Sequence, residues 1–229
     1  MRFKKHLLLL LPLVILAASC LPQPTLRSDL FLDDQSLISG EPCAPPCWNG
    51  ITPGETSFAD AISILTADDA HFTDPEQSTD GGILQAAWQK ADSGQYCCRV
   101  VAGENDQNSP VSYIFLALSP HIIVDQVIDR YGEPEYVTAF QFTDSEAVIQ
   151  LVYPDVPMAV TVLVGDPTAS LVTNSDVVAV LYMAPREMEL ILDTSELQAW
   201  NGYQPYAVYA EATPVLTPRV TLTPLPEGQ

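Results

Sequence analysis

Basic side chains and histidine are scarce in this sequence. Its 229 residues include nine lysines and arginines and three histidines against 29 acidic residues, which gives a formal net charge of −20. Beyond the first five residues the basic side chains stand singly, at Arg27, Lys90, Arg99, Arg130, Arg186 and Arg219. Proteins that bind nucleic acid use clusters of lysine and arginine to displace counterions from phosphates. We therefore expect no nucleic-acid partner.

The familiar catalytic signatures are also missing. The sequence has no Gly-x-Ser-x-Gly elbow, no His-Glu-x-x-His, no phosphate loop and no calcium loop. His71 falls in a polar loop and His121 in the first turn of a predicted helix, so we interpret both as exposed side chains. Asp68 and Asp69 are neighbours in a loop, where solvated charge is the expected state. The sequence thus predicts a protein that is not an enzyme, with no catalytic residue and no cofactor.

Long hydrophobic runs are absent apart from one near the start. Residues 7–18 are apolar except for Pro12, follow the basic side chains of Arg2, Lys4 and Lys5, and lead into small residues. A transmembrane helix needs about 20 apolar residues, so this run is too short for a permanent transmembrane helix. The order of charged, apolar and small residues is typical of an export signal, which we place at residues 1–19.

The end of this signal carries a cysteine. The stretch "LAASC" resembles the lipobox of bacterial lipoproteins, in which cleavage precedes a cysteine that receives a diacylglycerol. The resemblance implies that Cys20 is the lipid attachment site, and that the protein is exported and anchored to the outer face of the cell membrane or of another envelope membrane. Two or more acyl chains make a lasting anchor, whereas one binds only marginally. The alternative is an ordinary secretory signal with a chance cysteine.

Four further cysteines remain: Cys43 and Cys47 in "CAPPC", and Cys97 and Cys98 side by side in a predicted strand. An even number in an exported protein indicates disulfides, with three possible pairings. Adjacent strand residues face opposite sides, which favours bonds from "CAPPC" to the strand over a bond between Cys97 and Cys98. A thiolate metal site or a redox dithiol is an alternative that the spacings do not favour, so we expect no metal.

Proline distribution divides the chain. Residues 20–46 carry five prolines among polar residues and are predicted to be a tether that follows the lipid. Residues 211–229 repeat Thr-Pro and are predicted to be disordered. Between them, residues 47–210 are predicted to form the folded domain.

Two predicted helices within this domain begin similar successions of elements. In "ETSFADAISIL", Thr56 or Ser57 is the cap, and in "LSPHIIVDQVIDRYGEP", Ser119 is the cap and Gly132 the end. Seven short β-branched runs follow, three after the first helix and four after the second. We predict an α+β fold, an antiparallel sheet with helices packed on one face, built from two tandem α-β-β-β units at 47–118 and 119–184 and closed by residues 185–210.

Some of these segments resemble known families. "GITPGETSFADAISIL" and "VDQVIDRYGEPEYV" resemble the helix-to-strand segment of BamE, the small lipoproteins of outer-membrane assembly, and the tandem arrangement resembles the β-lactamase inhibitor protein. "PPCWNGITPG" is similar to a segment of uncharacterised bacterial lipoproteins. The resemblance to BamE and to the inhibitor implies fold more than activity.

Two functions follow as hypotheses. The leading one is a membrane-anchored lipoprotein that acts as a non-enzymatic protein-binding or envelope-assembly module, with an envelope protein as partner. The alternative is binding of a small ligand, a saccharide or a metal. For a saccharide, Trp200, Tyr203 and Tyr206 in "AWNGYQPYAVY" form a possible aromatic platform. The competing interpretation is that these rings close the core.

Overall fold

A computed structural model describes residues 25–67 and 71–212. Within these ranges the protein has nine strands and five short helices. The strands are β1 (Glu76–Asp80), β2 (Ile83–Gln89), β3 (Tyr96–Ala102), β4 (Val111–Ala117), β5 (Tyr136–Thr143), β6 (Glu146–Tyr153), β7 (Met158–Gly165), β8 (Val177–Met183) and β9 (Gln198–Ala199). The helices are α1 (Ser36–Ser39), α2 (Phe58–Thr66), α3 (Val124–Tyr131), α4 (Pro185–Thr194) and α5 (Tyr206–Glu211).

All nine strands belong to one open antiparallel sheet. Its spatial order is β1-β2-β3-β4-β8-β7-β6-β5-β9. Helix α2 precedes the meander β1 to β4, helix α3 precedes the meander β5 to β8, and the last strands of the two meanders pair in the middle of the sheet. The α+β class with an antiparallel sheet is therefore confirmed.

Each helix is followed by four strands, whereas the predicted α-β-β-β units have three, although four strand-like runs were predicted after the second helix. The first unit gains β1, whose five residues "EQSTD" are all polar and exposed, so no apolar alternation marks it as a strand. The seven β-branched runs that the sequence predicts as strands correspond to β2 to β8.

Helix α2 forms where the sequence predicts it. The Ser57 side chain accepts a hydrogen bond from the backbone N–H of Asp60 at 3.1 Å, which satisfies one of the free donors at the helix start. Phe58, Ala61 and Leu65 form its buried stripe.

Helix α3 begins at Val124, five residues later than the predicted cap. The Ser119 side chain instead donates a hydrogen bond to the Phe31 carbonyl at 2.8 Å, so it does not cap the helix. The backbone N–H at the start of α3 is satisfied by the loop before β8, because the Val124 N–H donates to the Ser175 carbonyl at 3.0 Å. The helix ends at Gly132 as predicted, with a φ of 82° that favours glycine.

The two faces of the sheet are covered differently. The core face carries the larger apolar cluster, in which α2 and α3 pack on alternate residues of the strands such as Trp88, Ile114 and Tyr182. Helix α4 lies on the opposite face, where Met188 packs in a second cluster with Met183. The prediction that helices pack on one face is therefore wrong for α4. The periodic runs of α2 and α3 marked them as helices, whereas α4 fell within the predicted closing segment.

The proline-rich segment is ordered against the sheet from Thr25 onward. Leu32 bridges to Leu118, Leu37 on α1 is 1% exposed, and the Tyr131 hydroxyl donates to the Leu37 carbonyl. The described part of the predicted tether thus belongs to the folded body because it carries apolar side chains that the core accepts. The predicted signal, Cys20 and residues 213–229 of the predicted tail lie outside the described residues.

Candidate functional site

An open groove lies on the face of the sheet opposite the core, which we call the outer face. The groove measures about 390 Å³ and spans β2, β3, β4 and β8. Among the described residues no helix contributes a side chain to its lining, although α4 packs nearby in a cluster that Tyr113 and Leu181 of the groove also contact. The groove is lined by Ala87, Tyr96, Cys97, Cys98, Arg99, Val101, Tyr113, Phe115 and Leu181.

Strand register brings the lining residues together. Ala87 pairs with Arg99, Arg99 with Phe115, and Phe115 with Leu181, so these four side chains form one row across four strands. Val101 pairs with Tyr113 in a neighbouring row. Because directly opposed residues share a face and adjacent strands are about 4.8 Å apart, Arg99 and Phe115 are direct cross-strand neighbours on the outer face.

Large apolar side chains are exposed on this face. Phe115 is 41% exposed and Tyr96 46% exposed, and Ile83 at the start of β2 is also exposed. An apolar group in water costs free energy in proportion to its accessible area. Isolated exposed rings are ordinary, but several rings around one groove mark a surface suited to binding.

A β-bulge shapes one end of the groove. Trp88 pairs with Cys98 and the next residue, Gln89, pairs with Tyr96, which leaves Cys97 as an extra residue in β3. The bulge interrupts the alternation of side chains, and the sulfur atoms of Cys97 and Cys98 are bonded to each other, with the Cα atoms 3.7 Å apart. Both cysteines are buried.

The cysteine pairing differs from the one favoured by the sequence. Cys43 is bonded to Cys47, with a Cα separation of 5.6 Å, and no bond joins the proline-rich segment to β3 within the described residues. In a regular strand, Cys97 and Cys98 would face opposite sides, which would disfavour a bond between them. At the bulge this alternation is interrupted, so the two sulfur atoms can meet.

Among the described residues, Arg99 is the one cation that lines the groove. In the described part of the chain its guanidinium has no ion pair, hydrogen bond or ring contact, although Glu76 lines the adjacent hollow with it. A hydrogen bond to Glu76 raises the pKa of the Tyr96 phenol, and burial raises the pKa of the Tyr113 phenol. Both phenols are therefore neutral at physiological pH. The groove can bind a ligand through rings and one positive charge.

A second hollow of about 400 Å³ adjoins the groove beside α4. It shares Leu181 with the groove and is otherwise lined by residues such as Thr138, Gln150 and Ile191. Helix α4 therefore borders the second hollow, and Leu181 separates that hollow from the groove.

The predicted aromatic platform is half-buried at Trp200 and Tyr206 and exposed at Tyr203. Trp200 stacks on Tyr209, with ring centres 6.1 Å apart, and Tyr209 is buried. Tyr206 and Trp200 pack against the main core, and only the Tyr203 ring, which meets Trp200 edge-on, is appreciably exposed. Two of the three predicted rings thus pack against the core, and the ring of Tyr203 stays at the surface.

His71 and His121 lie far apart in the sequence and in different surroundings. His121 Nδ1 lies 2.9 Å from Asp33 Oδ1, an exposed pair on the surface. His71 lines a small hollow of about 190 Å³ with Trp48 and Asp34. In residues 25–67 and 71–212 no group of three or more His, Cys, Asp or Glu side chains is arranged to hold a metal ion. Asp68 and Asp69 lie outside the described residues.

Tyr96, Tyr113 and Phe115 were not singled out in the sequence. The signal that marks them is alternation: in β4, the residues 113 and 115 alternate with the buried Ile114 and Leu116. Alternation predicts that they face away from the core, but it does not say whether another element covers them.

No helix in the described ranges is both long enough and apolar enough to cross a membrane. Scans of this chain against protein-family models, curated proteins and solved structures each found no match.

Proposed function

We propose that this chain is an exported lipoprotein, anchored through Cys20, whose α+β domain binds another protein of the cell envelope through the groove on its outer face and catalyses no reaction. The observation that carries the proposal is the exposure of Phe115 and Tyr96 around an open groove. Interface centres are rich in aromatic side chains that lose water on binding.

Charge and anchoring support the same function. Removal of residues 1–19 takes three of the nine basic side chains, leaving six against 29 acidic ones and a formal charge of −23. Anionic lipid headgroups repel such a surface, so the acyl chains alone would hold the protein to the membrane. The groove would then be free to meet a partner rather than lipid.

The two-unit architecture is consistent with a binding module. We infer that the units α2 to β4 and α3 to β8 are a duplicated α-β-β-β-β element, since both consist of a helix followed by a four-strand meander. The resemblance of "VDQVIDRYGEPEYV" to BamE supports envelope assembly as the setting of the proposed binding.

Site-specific cross-linking tests the proposal. A photoreactive p-benzoylphenylalanine replaces Phe115 in the full-length protein in its native membranes. Val172 is the matched control, because it is similarly exposed but lies outside the groove. We expect an adduct with a defined envelope protein from position 115 and none from position 172. Identical adducts from both positions would contradict the proposal.

Substitution of Phe115 provides a second test of the proposed binding site. Phe115→Asp places a charge at the centre of the proposed interface, and we expect it to abolish co-purification of the cross-linked protein. Val172→Asp makes the same chemical change elsewhere and should leave co-purification intact. Circular dichroism of both variants establishes that the fold survives. Co-purification that persists with a folded Phe115→Asp variant would show that the groove is not the binding site for the partner protein.

A further inference from the structure

The size of the groove suits a small organic molecule. Pockets that bind such ligands have volumes of about 300 to 1,000 Å³ and are lined mainly by apolar and aromatic side chains with a few polar groups. The groove, at about 390 Å³, lies at the lower end of that range. Its lining has three rings, those of Tyr96, Tyr113 and Phe115.

Arg99 gives the groove a charge preference. The other basic side chains in the folded body are mostly engaged: Arg27 pairs with Asp176, Lys90 pairs with Asp92, and Arg130 lies over the Tyr131 ring. Arg99 and Arg186 alone, among the described residues, have no such partner. In a chain with a net charge of −20, an unpaired arginine beside an aromatic groove is complementary to an anion.

The pairing of β3 with β4 favours one class of anion as a ligand of the groove. Arg99 stands in the same row as Phe115, so a ligand whose ring lies against Phe115 would place a substituent at the guanidinium. Aromatic rings associate through stacked or edge-on contacts, and guanidinium binds carboxylate through two parallel hydrogen bonds. The phenols of Tyr96 and Tyr113 are neutral, and the negative charges that act on them are the carboxylates of Glu76 and Glu187, so Arg99 is the group that would attract an anion.

We propose that the groove binds a small aromatic carboxylate, with the ring among Tyr96, Tyr113 and Phe115 and the carboxylate paired with Arg99. This inference rests on the premise of the proposed function that the outer-face groove is a binding site, and it names a ligand class that differs from a saccharide or a metal. A partner protein and the small anion would then compete for the same rings.

Two matched probes test the charge preference. 2-Naphthylacetate carries the carboxylate, and 2-naphthylacetamide has the same ring and a neutral amide. Binding to the full-length purified protein is measured by calorimetry and by shifts of backbone resonances in β3 and β4. We expect the carboxylate to bind several-fold more tightly than the amide, with shifts that centre on the groove.

Two arginine variants locate the effect. Arg99→Gln should weaken 2-naphthylacetate binding by roughly fivefold to tenfold, because it removes a charged hydrogen bond, and should leave the amide unchanged. Arg186→Gln makes the same charge change outside the groove lining and should alter neither affinity. Phe115→Ala should weaken both probes, because both use the ring contact.

The outcomes separate this inference from the proposed function. Equal affinity for the two probes, or equal weakening by Arg99→Gln and Arg186→Gln, would overturn the inference whatever cross-linking at position 115 shows. A carboxylate that binds in an Arg99-dependent way supports the inference, even where cross-linking finds no partner protein and the proposed function fails.

Discussion

The pair of His121 and Asp33 shows how single residues set pH dependence in this protein. The Asp33 carboxylate, 2.9 Å from His121 Nδ1, raises the pKa of the imidazole through a hydrogen bond and charge, and the same hydrogen bond lowers the pKa of Asp33. A raised histidine pKa stabilises the fold at low pH, and that contribution is lost as the pH rises through the folded-state value. The lowered Asp33 pKa adds stability that is lost at more acidic pH. Their joint contribution is therefore confined to the interval in which both groups are charged.

We predict that Asp33→Asn lowers the pKa of His121 toward the ordinary value of about 6.5. Nuclear magnetic resonance titration of the imidazole measures it directly. The difference in unfolding free energy between wild type and variant should be largest just below the unfolded-state pKa of about 6.5 and should decrease as the pH rises through the raised pKa of His121. Asp29→Asn is the control, because Asp29 acts on His121 only through a weaker charge interaction. A His121 pKa that is unchanged in Asp33→Asn would refute the assigned cause.

At the level of elements, the cap of α2 is a local device with a measurable effect. Ser57→Ala removes the acceptor for the Asp60 N–H, and we expect a loss of about 1 kcal/mol in the free energy of unfolding. Ser63→Ala is the matched control, since Ser63 is exposed on the same helix and alanine is the better helix former. Urea denaturation of the two variants measures both effects. Equal destabilisation by the two substitutions would show that the cap is not the cause.

The ordering of the proline-rich segment leads to a second prediction at this scale. Leu37 on α1 is 1% exposed, and Leu37→Ala should lower the free energy of unfolding by about 2 to 5 kcal/mol. Leu30→Ala makes the same change at a side chain that is 53% exposed and should change stability by less than about 0.5 kcal/mol. If the two variants unfold at the same urea concentration, the segment does not belong to the cooperative fold.

Elements with a clear apolar period were predictable from the sequence. Helix α2 and strands β2 to β8 follow from the spacing of residues such as Leu65 and Trp88, because burial imposes that spacing. Strand β1 was missed because it is polar throughout and owes its structure to pairing with β2. The start of α3 was misplaced because Ser119, a good cap in isolation, bonds instead to a distant carbonyl.

The groove could be predicted only in part. Alternation in β4 places Tyr113 and Phe115 on the face away from Ile114, but their exposure depends on where α4 packs. The bond between Cys97 and Cys98 depends on a bulge that arises from pairing with β2. Both features are set by contacts between residues far apart in the chain, which local patterns do not encode.

For the molecule as a whole, the proposed function requires a strongly acidic body to stay at a membrane. The chain has a formal charge of −20, and −23 without its first 19 residues, so electrostatic attraction to anionic lipid is unfavourable. The acyl chains expected on Cys20 would contribute about 0.8 kcal/mol for each buried CH₂ group, which for two or more chains gives stable attachment.

We predict that Cys20→Ala abolishes incorporation of labelled fatty acid and releases the folded protein from membranes. The wild-type protein should stay with membranes in high salt, because its attachment is apolar and salt screens only charge interactions. Acyl labelling and membrane fractionation measure these two properties, and thermal unfolding of the released variant establishes that residues 25–67 and 71–212 keep their fold. Because the groove is lined by residues between Ala87 and Leu181, we expect the purified variant to bind 2-naphthylacetate as the wild type does. Equal labelling of wild type and Cys20→Ala would overturn the lipoprotein assignment and leave an ordinary secretory signal as the explanation of the first 19 residues.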